Sequence, residues 1–146
     1  MPPPVAMVAA VLLMWALAEA APGFGFDFPA RRWTAWIVLA AGLATGIAAF
    51  LQFRRADTTI NPMTPGKASA LVTRGLYGMS RNPIYVGDVL ILLGVGVLIA
   101  NALAFVAVLL FMVYVDRFQV RPEERALRGR FGEAYDAYCR KVRRWL

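Results

Sequence analysis

The sequence predicts an all-α integral membrane protein, with about four transmembrane helices and a cytosolic amphipathic helical segment at the C-terminal end. Sixty per cent of the 146 residues are apolar, whereas soluble globular chains contain about 45–50%. The 16 Lys and Arg against 9 Asp and Glu give a net charge of +7, and nearly all of these charges lie outside four apolar runs. The length predicts a single membrane domain. Within it, residues 1–53 supply two helices and residues 54–146 form a second region.

The four apolar runs set the expected number of membrane helices. They comprise residues 5–18, 33–53, 84–100 and 102–115. A helix needs about 20 residues to cross the ~30 Å hydrocarbon core, with a range of about 17–25. The second and third runs reach this length, and the other two reach it with their flanks. Only Asn101 separates the last two runs, so we expect them to form a tight antiparallel hairpin.

The distribution of basic residues predicts the orientation. With four crossings, the N-terminus, segment 54–83 and tail 116–146 share one side, which holds 14 of the 16 Lys and Arg. Basic residues accumulate on the cytoplasmic side of membrane proteins. Both termini are therefore expected in the cytosol, as in a multi-pass protein of a bacterial inner membrane. A basic surface beside a bilayer attracts anionic lipid, so the charge requires no nucleic-acid partner and none is expected.

The residue types that are missing limit the chemistry. The sequence has no His and only one Cys, Cys139. An internal disulfide is therefore excluded, and no metal site is expected. Any catalysis must use carboxylates, arginines, tyrosines, backbone groups or a bound cofactor.

Small residues predict where helices approach each other closely. Gly42 and Gly46 form a small-xxx-small pair, which lets two membrane helices pack tightly. The partner is either another helix of the same chain or a second subunit, and in the second case the pair would build a homodimer. Gly87, Gly94 and Gly96 are expected to thin the third helix where its neighbours pack.

The start of the third helix carries the first candidate site. Asn82 is expected to be the N-cap and Pro83 the first helical residue. Free N–H groups at a helix N-terminus attract anions, and Arg81 stands beside them. Asp88, about one turn into the helix, is expected either to pair with Arg117 or to face a pocket, because buried carboxylates in membranes are usually paired.

The tail predicts an amphipathic helix that is interrupted at Gly132. Its apolar residues recur at spacings of three and four, and the opposite face is rich in Arg and Lys. These apolar residues are Leu127, Phe131, Tyr135, Tyr138, Val142 and Leu146. Taken alone, the pattern is typical of a helix that lies on the cytosolic leaflet, with Glu123 and Glu124 in a first helical turn.

Taken together and in this order, the motifs resemble a family of membrane methyltransferases that includes isoprenylcysteine carboxyl methyltransferase and the phospholipid N-methyltransferases. Residues 81–87 read Arg-Asn-Pro-Ile-Tyr-Val-Gly, residues 123–127 read Glu-Glu-Arg-Ala-Leu, and residues 131–138 read Phe-Gly-Glu-Ala-Tyr-Asp-Ala-Tyr before a basic end. The likeness covers residues 54–146. Asn82 stands where the isoprenylcysteine enzymes usually carry His, and it is closer to the phospholipid enzymes.

The resemblance implies S-adenosylmethionine as the methyl donor, bound on the cytosolic side. The cofactor-binding residues that it implies are Arg81, Asn82, Pro83, Tyr85, Gly87, Glu123 and Glu124. For the transfer step, we expect Arg143 or Arg144 to hold an anionic acceptor, and Tyr138 or Tyr135 to shape the opening. The acceptor would be lipophilic or small, would offer a carboxylate, thiol or amine, and would enter from the bilayer.

Two alternatives remain open at this point. Membrane sterol reductases share a similar C-terminal half but use NADPH, so an NADPH-dependent reductase is the alternative within enzymes. A small four-helix transporter or assembly protein is the alternative without catalysis. Such a protein would use charge in the middle of a membrane helix, whereas Asp88 lies near the end of its run.

Overall fold

A computed structural model describes residues 2–55 and 71–146, and these residues form helices and no β-strand. The six α-helices are α1 (Pro3–Ala20), α2 (Arg31–Arg55), α3 (Pro83–Ile99), α4 (Ala104–Val115), α5 (Arg121–Phe131) and α6 (Glu133–Lys141). The prediction of an all-α chain is confirmed. Part of the polar segment predicted between the second and third runs, residues 56–70, lies outside the described residues.

The first two helices are long and apolar enough to cross a membrane, with 18 residues in α1 and 25 in α2. Most of their side chains point outward, and Trp33 is 73% exposed. Extensive exposed apolar surface is a feature of membrane-facing helices rather than of soluble monomers. With 17 residues, α3 is a shorter apolar helix.

Two glycines bring α2 and α3 into backbone contact. A Cβ atom on Gly42 would lie 2.8 Å from both Gly87 O and Ile91 N, and a Cβ on Gly87 would lie 2.8 Å from Gly42 O and Gly46 N. Gly42 therefore packs inside the chain against α3, whereas a Cβ on Gly46 would meet nothing within 4 Å. A homodimer through this pair of glycines stays a prediction.

The other two glycines of α3 face different neighbours. A Cβ on Gly94 would lie 2.7 Å from the Leu39 side chain of α2, and one on Gly96 would lie 2.9 Å from Phe105 of α4 and 3.2 Å from Met14 of α1. The prediction that glycines thin this helix is confirmed. As a result, α3 lies at the centre of the packing, in contact with α1, α2 and α4.

Polar side chains complete the end of α3. The Arg31 guanidinium donates to Val97 O at 3.0 Å and to Leu98 O at 2.8 Å, carbonyls that a helix C-terminus leaves without partners. Asp27 holds the same guanidinium at 2.9 Å. After α3, Asn101 donates from Nδ2 to Ala21 O and accepts from the Leu103 N–H. These bonds fix the short connection to α4.

The helical path does not stop where the fourth run ends. After α4, a π-helical segment (Asp116–Val120) leads directly into α5, so residues 104–131 are continuously helical. Pro122 has no N–H, and in an α-helix its ring would clash with the carbonyl four residues earlier. The wider π turn just before it provides room for the ring. The tail is therefore an extension of the fourth helix rather than a separate element.

The C-terminal helices pack on the segment that precedes α3. A break at Gly132, with φ +51°, separates α5 from α6 as predicted. The predicted apolar stripe packs with Leu71 and Cys139, except for Leu146, which is 70% exposed. Hence the stripe faces protein, and the interpretation of a helix simply lying on the leaflet is wrong for most of its length.

Candidate active site

The last residues of the chain lie across the start of α3, and we call residues 142–146 the C-terminal strap. Arg81 N donates to Arg143 O at 3.0 Å, and Asn82 Nδ2 donates to Arg144 O at 2.9 Å. Asn82 is the N-cap residue and Pro83 the first residue of α3, as predicted, but the Asn82 side chain makes no capping hydrogen bond. Its amide instead anchors the strap.

A buried carboxylate joins the strap to α3 and α5. Glu124 is 8% exposed. It accepts two hydrogen bonds from the Arg144 guanidinium, at 2.7 and 3.1 Å, and forms an ion pair with Arg81 Nη1 at 3.2 Å. Two cations therefore neutralise one buried anion, which is the arrangement that burial of charge requires. The hydrogen bond to Glu124 raises the pKa of Arg144.

The neighbouring glutamate has a different environment. Glu123 Oε1 accepts a hydrogen bond from the Tyr85 hydroxyl at 2.8 Å and makes no ion pair within residues 2–55 and 71–146. Burial raises the pKa of Glu123 from 4.5 to about 7; the Tyr85 bond opposes this shift and repulsion from Glu124 adds to it. The pKa of Glu123 thus lies near neutral pH, and groups with such perturbed pKa values cluster at functional sites.

The structure brings most of the predicted site residues together. Arg81, Tyr85, Glu123, Glu124 and Arg144 form one cluster at the N-terminal ends of α3 and α5. Asn82 and Pro83 are buried beneath the strap. Gly87 lies apart from the cluster, because the face on which its side chain would lie is filled by α2.

The predicted catalytic residues Arg143, Arg144 and Tyr138 all make contacts within the protein. The Arg144 guanidinium already has two carboxylate partners, Glu124 and Asp116, the latter at 3.2 Å. Arg143 contributes its carbonyl to the strap while its side chain is exposed. The Tyr138 hydroxyl is buried and donates to Tyr77 O at 2.6 Å.

The predicted pair of Asp88 and Arg117 does not form. Asp88 is half-buried on α3 and makes no hydrogen bond or ion pair with any described residue, whereas Arg117 is exposed on the π-helical segment. Of the two alternatives for Asp88, the structural pair with Arg117 is therefore wrong.

Two residues that the sequence did not single out touch this cluster. Cys139 Sγ lies 2.6 Å from Arg81 Nη1, and Asp116 pairs with both Arg121 and Arg144. Cys139 could have been found, since it lies four residues after Tyr135 on the same helical face. Asp116 gave no comparable signal. In the described part of the chain, no three acidic or sulfur side chains gather as metal ligands.

Comparison with known proteins identifies the family. The family model for phospholipid methyltransferase matches residues 30–134, which is more than half of the chain. The chain belongs to the phospholipid methyltransferase family. It is 32% identical over 120 residues to a protein-S-isoprenylcysteine O-methyltransferase of Schizosaccharomyces pombe, covering 80% of this chain and 50% of that protein.

A second relative is shorter. An uncharacterised protein of Haemophilus influenzae is 40% identical over 63 residues, which cover 43% of this chain and all of that protein. No solved structure matches. This methyltransferase family member thus spans about half of the length of its S. pombe relative.

The environment of Tyr138 leads to a prediction that separates packing from catalysis. Tyr138→Phe leaves the buried Tyr77 carbonyl without its donor, so we expect a loss of about 1–2 kcal/mol in unfolding free energy. Ligand binding should be retained, because the hydroxyl is bonded to the Tyr77 carbonyl and forms no hydrogen bond with Glu123. Thermal unfolding in detergent, with and without S-adenosylhomocysteine, measures both quantities. Unchanged stability together with lost ligand stabilisation would instead support the predicted catalytic role of Tyr138.

Proposed function

We propose that this protein is an S-adenosylmethionine-dependent methyltransferase, with its site on the cytosolic side of the membrane. Family membership supports the reaction class. The observation that carries the proposal is that the two neighbouring glutamates of the site differ in their cationic partners. Glu124 is neutralised by two arginines, while Glu123 has no cation in the described residues and Arg81 Nε is buried there without a hydrogen-bond partner.

Glu123, which has no cationic partner among the described residues, and the Nε–H of Arg81 fit the charges of the donor. S-adenosylmethionine carries positive charge at its ammonium and sulfonium and negative charge at its carboxylate. Glu123 would hold a positive group, and Arg81 would hold the carboxylate through its Nε–H, which has no partner among the described residues. Tyr85 fixes the Glu123 carboxylate by hydrogen bonding. When bound, the donor supplies an activated methyl group that is transferred by direct displacement.

The chain's main task in such a reaction is alignment. Correct placement of two reactants can supply about 7–11 kcal/mol of the barrier reduction. Arg144 and Asn82 hold the strap over the start of α3, which would fix the wall of the donor site. The acceptor would be lipophilic or small, would present a carboxylate, thiol or amine, and would arrive from the bilayer.

The proposed topology has four crossings, with α3 and α4 as an antiparallel hairpin. Three observations support it: α1 and α2 are long enough to span, α3 is an apolar helix of 17 residues, and α4 with its π-helical continuation reaches the same length. Basic residues concentrate beside the candidate site, which supports a cytosolic orientation and a multi-pass location in a bacterial inner membrane.

Ligand stabilisation tests the proposed function. We expect millimolar S-adenosylhomocysteine to raise the unfolding temperature of the detergent-solubilised protein, because binding to the folded state stabilises it by mass action. NADPH serves as the parallel ligand. Stabilisation by NADPH alone would favour a reductase, and no shift with either ligand would favour a non-enzymatic membrane protein. Glu133→Gln, on the exposed face of α6, is the control variant.

A further inference from the structure

A groove lies between the C-terminal strap and the continuous helix formed by α4, the π-helical segment and the start of α5. It has a volume of about 320 Å³ and is lined by Met112, Val113, Asp116, Arg117, Arg121 and Trp145. Met112, Val113 and Trp145 form an apolar part, and the other three residues form a charged part. This volume is within the usual range of ligand sites, about 300–1,000 Å³. The groove contains none of the residues proposed to bind the donor.

The charged part of the groove is positive. Asp116 is already paired with Arg121 at 2.8 Å and with Arg144 at 3.2 Å. Arg117 is exposed and forms no ion pair with a described residue, and the Arg121 side chain is 52% exposed. Within the groove lining, one carboxylate is therefore set against two guanidinium groups, and the excess positive charge attracts an anion. Arginine is well suited to phosphate because its planar fork of donors can form two parallel hydrogen bonds.

The apolar part of the groove continues along the outside of α4. Val113 is 65% exposed, and Leu109 and Leu110 are also exposed one turn further from the charged part. A ligand that satisfies both parts must have an anionic head and a hydrocarbon tail. Trp145 also lines the groove. Tryptophan is enriched at membrane–water interfaces.

We propose that this groove binds an acidic phospholipid of the surrounding bilayer. Its phosphate is held by Arg117 and Arg121, and one acyl chain lies along α4 against Val113. Because the Trp145 side chain belongs to the C-terminal strap, the bound lipid also stabilises the strap in its place over α3. The site is separate from the proposed donor site, so a lipid effect on stability can be measured without any methyl acceptor.

Lipid titration tests the proposal. Protein in a neutral detergent is titrated with phosphatidylglycerol, with phosphatidylcholine and with inorganic phosphate, and both the unfolding temperature and the number of lipids retained in native mass spectrometry are measured. We expect phosphatidylglycerol to raise the unfolding temperature and to remain bound. The other two ligands should have little effect, since phosphatidylcholine has no net charge and free phosphate has no acyl chain.

Matched arginine variants locate the site. Arg117→Gln should weaken phosphatidylglycerol binding about tenfold, in line with the loss of a hydrogen bond between charged groups. Arg125→Gln removes an exposed cation of α5 that does not line the groove and should leave binding unchanged. Equal losses in both variants, equal stabilisation by phosphatidylcholine, or equal stabilisation by inorganic phosphate would overturn the proposal. Failure of the donor analogue to bind would leave these results unaffected.

Discussion

At pH 8, the Glu123→Gln variant is expected to unfold at a higher temperature than the parent protein and to bind S-adenosylhomocysteine more weakly. Folding buries the Glu123 carboxyl and raises its pKa from 4.5 to about 7. Above pH 7 the parent must hold an ionised, partly buried carboxylate whose hydrogen-bond partner among the described residues is the Tyr85 hydroxyl. Glutamine can accept the same hydrogen bond without charge, so the cost is removed.

The pH dependence of this effect has a defined sign. A raised pKa means that the folded state binds a proton more tightly than the unfolded state, so the stability contributed by the neutral carboxyl is present below pH 4.5. It is lost as the pH rises to about 7. At about 1.4 kcal/mol per pKa unit, the rise from 4.5 to about 7 corresponds to a loss of about 3.5 kcal/mol. The variant should therefore resemble the parent at pH 5 and exceed it at pH 8.

Binding should change in the opposite direction. A cationic group beside Glu123 favours the ionised carboxylate, so ligand affinity of the parent should increase between pH 6 and pH 8 and should lose this dependence in Glu123→Gln. Unfolding temperatures and ligand titrations at pH 5, 6, 7 and 8 measure both trends, with Glu133→Gln as control. A variant that is equally stabilised at pH 5 and pH 8, or that binds ligand as tightly as the parent, contradicts this role for Glu123.

Gly42→Ala is expected to destabilise the protein, whereas Gly46→Ala in the same helix is expected not to. The new Cβ at position 42 would lie 2.8 Å from two backbone atoms of α3, while a Cβ at position 46 would meet nothing within 4 Å. Backbone atoms cannot move aside as a flexible side chain can, so α2 and α3 must separate. Overpacking of this kind costs about 1–3 kcal/mol.

The two alanine variants form a matched pair. Both gain the helix propensity of alanine over glycine, about 1 kcal/mol, so their difference reports the contact with α3. Thermal unfolding and size-exclusion chromatography in detergent are the measurements. If Gly42→Ala dissociated a dimer and left monomer stability unchanged, the glycine would contact a second subunit rather than Gly87.

Local sequence signals predicted much of the fold. Pro83 marked the start of α3, Gly132 marked the break between α5 and α6, and the glycines of α3 marked the close contacts. Each of these depends on backbone geometry at the residue itself or on the faces of one helix. Pro122 also indicated a disturbance of the helix at this point. A proline alone does not determine whether the helix ends or widens into a π turn.

The partners within the candidate site were less predictable. The motifs identified Arg81, Tyr85, Glu123 and Glu124, which the structure places together. The role of Arg144 could not be predicted, because it depends on where the strap lies, and the contact from Asn82 to Arg144 joins residues 62 positions apart. Periodicity relates residues within one element, and it contains no information on pairing at that distance.

The long separation of these contacts has a consequence for the order of folding. The bonds from Ser80 and Arg81, just before α3, to the strap and to α6 close loops of 64 and 58 residues. Closure of long loops carries an entropic cost that local helix formation does not. The helices can therefore form before the site residues meet. For the same reason, partial unfolding should release the strap first, so the protein can lose its candidate site while its helices remain intact.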